Sequence, residues 1–338
     1  KIITGYEGPN YAQSEKARRD GLERRAALSK YFVDGGVAAL LRPSPLDSAN
    51  LLAMDAGGFD LNSPNYKLPV PELAVPSFSV AREHYGRIYR LMEHNIPVKL
   101  ELNLQVTIHD AGPGYNVVAE LPGVDAKLKD EVVMLGGHFD SWHAGTGATD
   151  NAAGSAVMME ALRILKAIGV KPRRAIRLAL WDGEEGGHLG SSTYVKNHFG
   201  DPVTMRLKPE HEKLAVYFNL DNGTGRIRGV YLQGNEAVRP IFESWLRPFH
   251  YLGATTLAIQ SVVATDHLNF AHVGLPGFQF IQDPIDYEVR THHTNLDVYE
   301  SILPDDLKQA AVIVASFAYH SAMRDEKLPR KPLPSAQP

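Results

Sequence analysis

The chain has 338 residues, of which 44% are hydrophobic and 22% charged, a composition typical of a soluble globular protein long enough for two domains. Its formal net charge of −4 excludes a whole-chain attraction to nucleic acid or anionic membrane, and no apolar run approaches the ~20 residues of a membrane span. Because there is no cysteine, disulfides and thiolate metal sites are excluded, and any metal must be held by His, Asp or Glu.

The first hundred residues predict a small α/β module. The expected elements are a helix at Gln13–Phe32 that ends at Gly35 and Gly36, a strand at Val37–Leu41, loops with at most one strand from Arg42 to Pro76, a strand at Ser77–Val80, a helix at Glu83–Glu93 and a half-buried strand at Val98–Val106. Three histidines in this stretch stand in no carboxylate-rich turn, so surface or core roles are favoured for His84, His94 and His109. The pattern breaks at HDAGPGY, which predicts a domain boundary after residue 108.

Beyond this boundary, strands and helices alternate. The expected strands are Tyr115–Leu121, Val132–Leu135, Ala175–Trp181, Leu214–Leu220, Thr255–Ile259 and Gly277–Ile281, and the expected helices are Ala152–Ile168, Ser191–His198, Glu236–Phe249 and Leu307–Met323. Near-continuous apolar strands alternating with helices predict an α/β fold, a mostly parallel mixed sheet with helices on both faces. This second domain is expected to span residues 109–325, followed by a proline-rich tail, 326–338, that is extended or disordered.

Potential metal ligands follow three of the predicted strands, and two more lie in nearby loops. The candidates are His138, Asp150, Glu184, Glu185, Asp221 and His293. Because the carboxyl ends of parallel strands meet at one edge of a sheet, these side chains are expected to converge there. Nitrogen and oxygen ligands without thiolate suit zinc in a hydrolytic site, and a bridging carboxylate would hold two ions about 3.5–4 Å apart.

Each candidate also has a simpler explanation, such as a helix cap at Asp150 or a plain turn at Asp221. Adjacent carboxylates at Glu184 and Glu185 could complement a helix dipole, but they repel each other unless a cation neutralises them. Their side chains diverge, so that one can bind metal while the other acts as a general base. The joint occurrence of these groups at matching sheet-edge positions favours a metal site over separate structural roles.

Five motifs in order, GGHFDSW, GATDNAAG, WDGEEGGHLGS, NLDNG and HHTNLD, resemble the di-zinc peptidase family of bacterial leucyl aminopeptidases and glutamate carboxypeptidases over roughly residues 115–323. The resemblance implies a zinc exopeptidase fold with two Zn²⁺ per chain, and the implied ligands are His138, Asp150 as the bridge, Glu185, Asp221 and His293. It implies that Glu184 is the general base for a water that bridges the metals. It further implies that Asp140 orients His138, that Asp297 supports the metal ligands without binding metal itself, and that the Asp150–Asn151 peptide bond is cis.

Other features look similar to the plasma glutamate carboxypeptidase branch of that family, including the His-His pair and the spacing from His138 to Asp150. His292 stands where part of the family has an oxyanion-stabilising tyrosine, and it is either an oxyanion donor or a bystander. Asp266 and His267 stand where family members line the substrate pocket, which implies substrate contacts. His143 and His188 are expected to be peripheral. The first hundred residues are similar to the protease-associated domain that many of these enzymes carry as an insertion.

The resemblance therefore implies a zinc exopeptidase that is either an aminopeptidase or a dipeptidase or carboxypeptidase-like enzyme, with Arg290 and Arg239 as candidate anchors for a terminal carboxylate. The alternatives are a glutaminyl cyclase-like acyltransferase with one zinc and a catalytically inactive, receptor-like binding module. Complete retention of the five ligands and the base favours the peptidase. The expected partner is a peptide or dipeptide, with no nucleic acid and no membrane span, and a homodimer is left open.

The chain begins at Lys1 without a methionine, which predicts a processed or truncated chain. A secreted or periplasmic location is the accompanying expectation.

Overall fold

A computed structural model describes residues 30–47, 50–53, 57–58, 75–105, 107 and 112–336, together with residues 20, 23, 24, 27 and 28. The described residues between 20 and 34 are helical, and the rest of the predicted helix Gln13–Phe32 lies outside the described residues, as do Val106 and His109. Among the helices of the described chain, none combines the length and the apolar character needed to cross a bilayer.

The first module contains a three-stranded sheet and a helix. Its strands are β1 (Leu40–Pro43), β2 (Gly57–Gly58) and β3 (Pro76–Val80), and its helix is Arg82–Glu93. The central strand, β3, is parallel to β1 and antiparallel to β2. These elements agree with the predicted α/β character of the module, while its assignment to the protease-associated domains and the domain bounds stay predictions.

The predicted strand Val98–Val106 is wrong for the part that the structure describes. Residues 98–105 belong to no strand, and Leu100, Leu102 and Leu104 are exposed. Alternation of apolar and polar residues indicates which side of an extended chain is apolar, but it does not supply the neighbouring strand that a sheet requires.

The second domain alternates strands and helices, as predicted. Its strands are β4 (Val117–Leu121), β5 (Val132–His138), β6 (Ala175–Trp181), β7 (Gly200–Asp201), β8 (Arg206–Leu207), β9 (Leu214–Asn219), β10 (Ile227–Tyr231), β11 (Thr256–Ala258) and β12 (Gly277–Gln282). Its α-helices are Ala153–Ala167, Leu189–His198, Arg239–Leu246, His267–Ala271 and Pro304–Met323.

Seven of these strands form one mixed sheet in the order β11-β10-β12-β9-β5-β6-β4. The four strands β5, β6, β9 and β12 are parallel to one another, whereas β4 runs antiparallel to β6, and β10 and β11 run antiparallel to β12. The predicted fold class, a mostly parallel mixed sheet, is confirmed.

Alternate residues of the strands point to opposite sides of this sheet, and helices cover both of its faces. One hydrophobic core lies between the sheet and the helices Ala153–Ala167, Arg239–Leu246 and Pro304–Met323. A second core lies on the other face, under the helices Leu189–His198 and His267–Ala271. Neither hydrophobic core extends over the edge where the carboxyl ends of the parallel strands lie. This edge is therefore available for a site.

Several other elements differ from the prediction. The expected helix Glu236–Phe249 is α-helical only over Arg239–Leu246, with 3-10 turns on either side, since Pro248 has no N–H to continue the ladder. The strands β7, β8 and β10 and the helix His267–Ala271 were not predicted, and β1 was predicted at Val37–Leu41.

Residues 326–336 of the proline-rich tail form no helix or strand, and they pack against the second domain. The Arg330 guanidinium donates to the Leu214 carbonyl at 2.9 Å, and the Asn235 amide donates to the Pro329 carbonyl at 2.7 Å.

Candidate metal centre

Three neighbouring strands deliver ligand-type side chains to one edge of the sheet. β5 lies between β6 and β9, and all three run parallel. β5 ends at His138, β6 is followed by Glu184 and Glu185, and β9 is followed by Asp221. The convergence expected from the sequence is therefore present.

Asp150 enters from the loop before the helix Ala153–Ala167, and Asp297 holds that loop. The carboxylate of Asp297 accepts the Thr149 N–H at 2.7 Å, the Thr149 hydroxyl at 2.8 Å and the Asp150 N–H at 3.1 Å. On the other side, the Asn151 amide donates to the Leu220 carbonyl at 2.9 Å. The predicted cis peptide bond Asp150–Asn151 is present.

The candidate ligands form two groups that share Asp150. In the first, His138 Nε2 lies 3.2 Å from Asp150 Oδ1 and 3.2 Å from Asp221 Oδ1. In the second, His293 Nε2 lies 3.3 Å from Asp150 Oδ2 and 3.0 Å from Glu185 Oε2. Because each oxygen of Asp150 faces a different histidine, this carboxylate is placed to bridge two ions.

Ligand atoms of His138, Asp150 and Asp221 lie within 4.8 Å of one another, as do those of Asp150, His293 and His292, and Glu185 joins the second set through His293. Ligand atoms 2.0–2.2 Å from a tetrahedral zinc are about 3.3–3.6 Å apart, close to the distances between these nitrogen and oxygen atoms. Two buried oxygens, Asp150 Oδ2 and Glu185 Oε1, have no hydrogen-bond partner among the described residues. Buried carboxylate oxygens are normally satisfied, so both atoms are suited to bind a cation.

Hydrogen bonding prepares His138 to bind through Nε2. Its Nδ1 donates to the main-chain carbonyl of Asp140 at 3.0 Å, which leaves Nε2 to face Asp150 and Asp221. The Asp140 carboxylate lies farther away, at 3.5 Å, and it accepts instead the N–H groups of Glu184 and Glu185 at 3.0 and 3.1 Å. Asp140 therefore contacts both His138 and the Glu184–Glu185 turn.

The electrostatics of the cluster reflect an excess of buried carboxylates. Burial by itself lowers the pKa of His138, but Asp221 and the other nearby carboxylates raise that pKa well above its usual value. Burial and the charge of Asp221 raise the pKa of Glu184 well above the usual range for a glutamate. Burial raises the pKa of Glu185 as well. Two divalent cations would relieve this repulsion.

Glu184 lies beside the first ligand group without belonging to either group. Its Oε2 is 3.9 Å from His138 Nε2, and its Oε1 is 3.2 Å from His188 Nε2. The expectation that His188 is peripheral is therefore wrong, since His188 contacts the candidate base. The sequence signal that could have found it is the spacing of four residues from Glu184 within the turn that precedes the helix Leu189–His198.

The three predicted substrate contacts are in different environments. His292 is partly exposed, with Nε2 4.0 Å from Asp150 Oδ2 and its ring stacked on Tyr287. Asp266 and His267 are fully buried, where Asp266 accepts from the Ser191 hydroxyl and His267 Nε2 donates to the Val262 carbonyl. The structure leaves these two side chains no exposed surface, and their role as substrate contacts stays a prediction.

Sequence reasoning also missed two residues next to the second ligand group. The Trp142 ring lies 5.8 Å from the His293 ring and lines a small cavity with Asp150 and Glu185. Tyr287 is buried beneath His292. Neither residue type indicates metal chemistry by itself, so only the fold brings them into the site.

A seven-stranded mixed sheet with two ligand groups at its edge that share Asp150 defines the zinc peptidase fold. The model of Peptidase family M28 matches residues 116–318, and the chain belongs to this family.

Named relatives agree with this placement. Human carboxypeptidase Q is 27% identical over 326 residues, which cover 95% of this chain and 62% of that protein. Aminopeptidase YwaD of Bacillus subtilis is 32% identical over 203 residues, 58% of this chain and 42% of that protein. The chain thus spans about three fifths of the length of the carboxypeptidase Q relatives.

Solved structures show the same fold. A peptidase M28 precursor from Shewanella amazonensis SB2B superposes with a TM-score of 0.66 at 29% identity, over 78% of this chain and 56% of that chain. BSAP, a zinc aminopeptidase from Bacillus subtilis, superposes with a TM-score of 0.50 at 28% identity, over 62% of this chain and 50% of that chain.

Proposed function

We propose that this chain is the catalytic part of a zinc-dependent exopeptidase. The observation that carries the proposal is the sharing of Asp150 between two ligand groups, with Glu184 next to His138 of the first group. Two Zn²⁺ ions bound by His138, Asp150, Asp221, Glu185 and His293 would polarise the scissile carbonyl and stabilise the charge that develops on its oxygen. Similarity to a protein described as a zinc aminopeptidase supports the choice of zinc.

Glu184 is the general base in this proposal. It takes a proton from the attacking water and returns that proton to the leaving amine. Burial by itself raises the pKa of Glu184, and a base with a pKa nearer the working pH both accepts and releases protons readily. His188 holds Oε1, while Asp140 holds the main chain of the turn.

The substrates we propose are peptides with a free end, as the similarity to carboxypeptidase Q and to an aminopeptidase supports. Of the two candidate anchors for a terminal carboxylate, Arg239 is already paired with Glu236 and with the Leu257 carbonyl. Arg290 is exposed and lies two residues before His292, so it is the better anchor. A secreted or periplasmic location stays a prediction from the sequence.

The test combines metal content with turnover on protein purified without chelator. Two zinc ions per chain, together with cleavage of aminoacyl anilides, would support an aminopeptidase. Two zinc ions with cleavage of free dipeptides alone would support the carboxypeptidase-like activity, and Arg290→Ala should then raise KM for the dipeptide more than it lowers kcat. One zinc would favour the glutaminyl cyclase-like alternative, and folded protein with neither metal nor turnover would indicate an inactive binding module.

A further inference from the structure

A short segment of the first module lies against the loop that carries the ligand His293. We call residues Asn50–Ala53 the 50–53 segment and residues Arg290–Asn295 the His293 loop. Leu52 and Thr294 form an antiparallel bridge between them. The two stretches are about 240 residues apart in the chain, so only the tertiary fold brings them together.

Four hydrogen bonds join the two stretches. The Ala53 N–H donates to the His293 carbonyl at 2.7 Å, and the Leu51 N–H donates to Asn295 Oδ1 at 2.7 Å. In the other direction, the Asn295 N–H donates to the Leu51 carbonyl at 3.2 Å. The Asn50 side chain donates to the Arg290 carbonyl at 2.7 Å. Both ends of the segment are buried, with Asn50 1% and Ala53 5% exposed.

The backbone of His293 needs such support. Its φ of 59° lies in the left-handed region, which a residue other than glycine adopts only when its surroundings hold it there. Because the Ala53 N–H binds the carbonyl of this same residue, the 50–53 segment acts directly on the conformation that aims Nε2 at Asp150 and Glu185.

The other ligand group is built differently. His138 ends β5 and Asp221 follows β9, so both are held by the central sheet and by contacts that do not include the 50–53 segment. Loss of the segment's contacts should therefore affect one ligand group much more than the other.

We propose that the 50–53 segment is a positioning element for the metal site formed by Glu185, His293 and Asp150, and that the first module thereby sets the affinity of this site selectively. The inference rests on the metal centre of the proposed function, but it does not depend on the reaction catalysed there. Asn50 and Asn295 are positioning residues, since they act on His293 and not on a metal or substrate.

The experiment titrates metal-free full chain with Co²⁺, whose absorption spectrum follows each site, and with Zn²⁺ in competition with a chelator. Asn50→Asp keeps the size of the side chain but removes the donor to the Arg290 carbonyl. In this variant, we expect the Kd of one of the two ions to rise about 10–100-fold, as it does when other residues that orient metal ligands are replaced. The Kd of the other ion should stay within about twofold of the wild-type value. Asn295→Ala, which removes the acceptor of the Leu51 N–H, should shift the same site.

A matched control is available in Asn235. This asparagine is 6% exposed and also donates to a main-chain carbonyl at 2.7 Å, that of Pro329, in the contact with the tail. Asn235→Asp should lower the melting temperature as Asn50→Asp does but leave both metal affinities unchanged. Double variants identify which site is affected. Asn50→Asp should still weaken metal binding when it is combined with Asp221→Ala, and it should have no further effect when it is combined with His293→Ala.

Equal weakening of both sites by Asn50→Asp, unchanged affinities in folded protein, or the same shift in Asn235→Asp would overturn the inference while the peptidase proposal stands. A selective shift in a chain that cleaves no peptide would overturn the proposed function alone. A wild-type chain that binds no metal would overturn both.

Discussion

At the scale of single residues, Glu184 and Glu185 are neighbours in the chain yet contact different partners. Glu185 Oε2 lies 3.0 Å from His293 Nε2, whereas Glu184 Oε1 lies 3.2 Å from His188 Nε2. Asp140 accepts both of their main-chain N–H groups and so fixes the turn from which the two side chains diverge. Metal binding and proton transfer can then be separated by substitution.

Replacing the base should remove turnover without removing metal. In Glu184→Gln, we expect kcat to fall by about 10²–10⁴-fold, because the amide cannot accept the proton of the attacking water. Elemental analysis should still find two zinc ions per chain. Glu300→Gln, at an exposed position, is the control and should change neither quantity. Wild-type rates in Glu184→Gln would falsify this mechanism.

The buried His267 should make stability depend on pH. Burial lowers the pKa of His267 to about 4, while the unfolded chain should have a value near 6.5. As the pH falls, the unfolded state therefore binds the proton before the folded state does. The contribution of neutral His267 to the free energy of unfolding is complete above about pH 6.5 and is lost as the pH falls towards 4, by about 3 kcal/mol at most.

Urea unfolding between pH 4 and 7 measures this effect. The protein is kept metal-free with a chelator, so that protons and metal ions do not compete for the metal ligands. His267→Gln should show a flatter pH dependence of the free energy of unfolding than the wild type does. Identical slopes in the two proteins would show that His267 does not titrate on unfolding.

At the scale of elements, the position of His138 depends on how closely β5 packs against its neighbours. A Cβ at Gly136 would lie 2.6 Å from Tyr217 Oη and 2.8 Å from the Ala179 carbonyl oxygen. The Tyr217 hydroxyl is itself held, since it accepts from Trp181 Nε1 at 2.8 Å. Neither contact has room to move, so glycine is required two residues before the ligand.

Gly136→Ala should therefore destabilise the protein and disturb the metal centre together. We expect a loss of about 1–3 kcal/mol in the free energy of unfolding, the usual cost of overpacking a core, measured by urea unfolding. Gly112→Ala is the matched control, because a Cβ there would meet no atom within 4 Å. Equal effects of the two substitutions would contradict the packing argument.

At the scale of the whole molecule, the metal centre joins parts of the fold that are far apart in the chain. Strand ends of the central sheet supply one ligand group, and two loops supply most of the other. The first module contacts the second domain at the His293 loop. Bound metal should consequently stabilise the whole second domain and its contact with the first module.

Metal removal should lower the melting temperature of the protein, and added Zn²⁺ should restore it. A ligand at a hundred times its Kd stabilises the native state by about 2.7 kcal/mol, so the effect should be several degrees or more. In Asp150→Ala, which removes the shared ligand, chelator should change the melting temperature little. A chelator-sensitive Asp150→Ala protein would contradict the bridging role of Asp150.

Much of this molecule follows from local patterns. Apolar runs bounded by glycine predicted β5, β6 and β9 to within a few residues, because a buried parallel strand is apolar along its whole length. The residues that follow parallel strands lie at one edge of the sheet, whatever the conformation of the loops between the strands. The proximity of His138, the Glu184–Glu185 pair and Asp221 could therefore be predicted from the sequence alone.

Other features were decided only by the tertiary structure. The sequence does not give the distances between the positions that these features join. The features are the division of Asp150 between two histidines, the contact of His188 with Glu184, the burial of Asp266 and His267, and the bridge from the 50–53 segment to the His293 loop. The absence of a strand at residues 98–105 has the same origin. A local pattern records periodicity and burial, whereas a contact depends on the path of the chain between the two residues that make it.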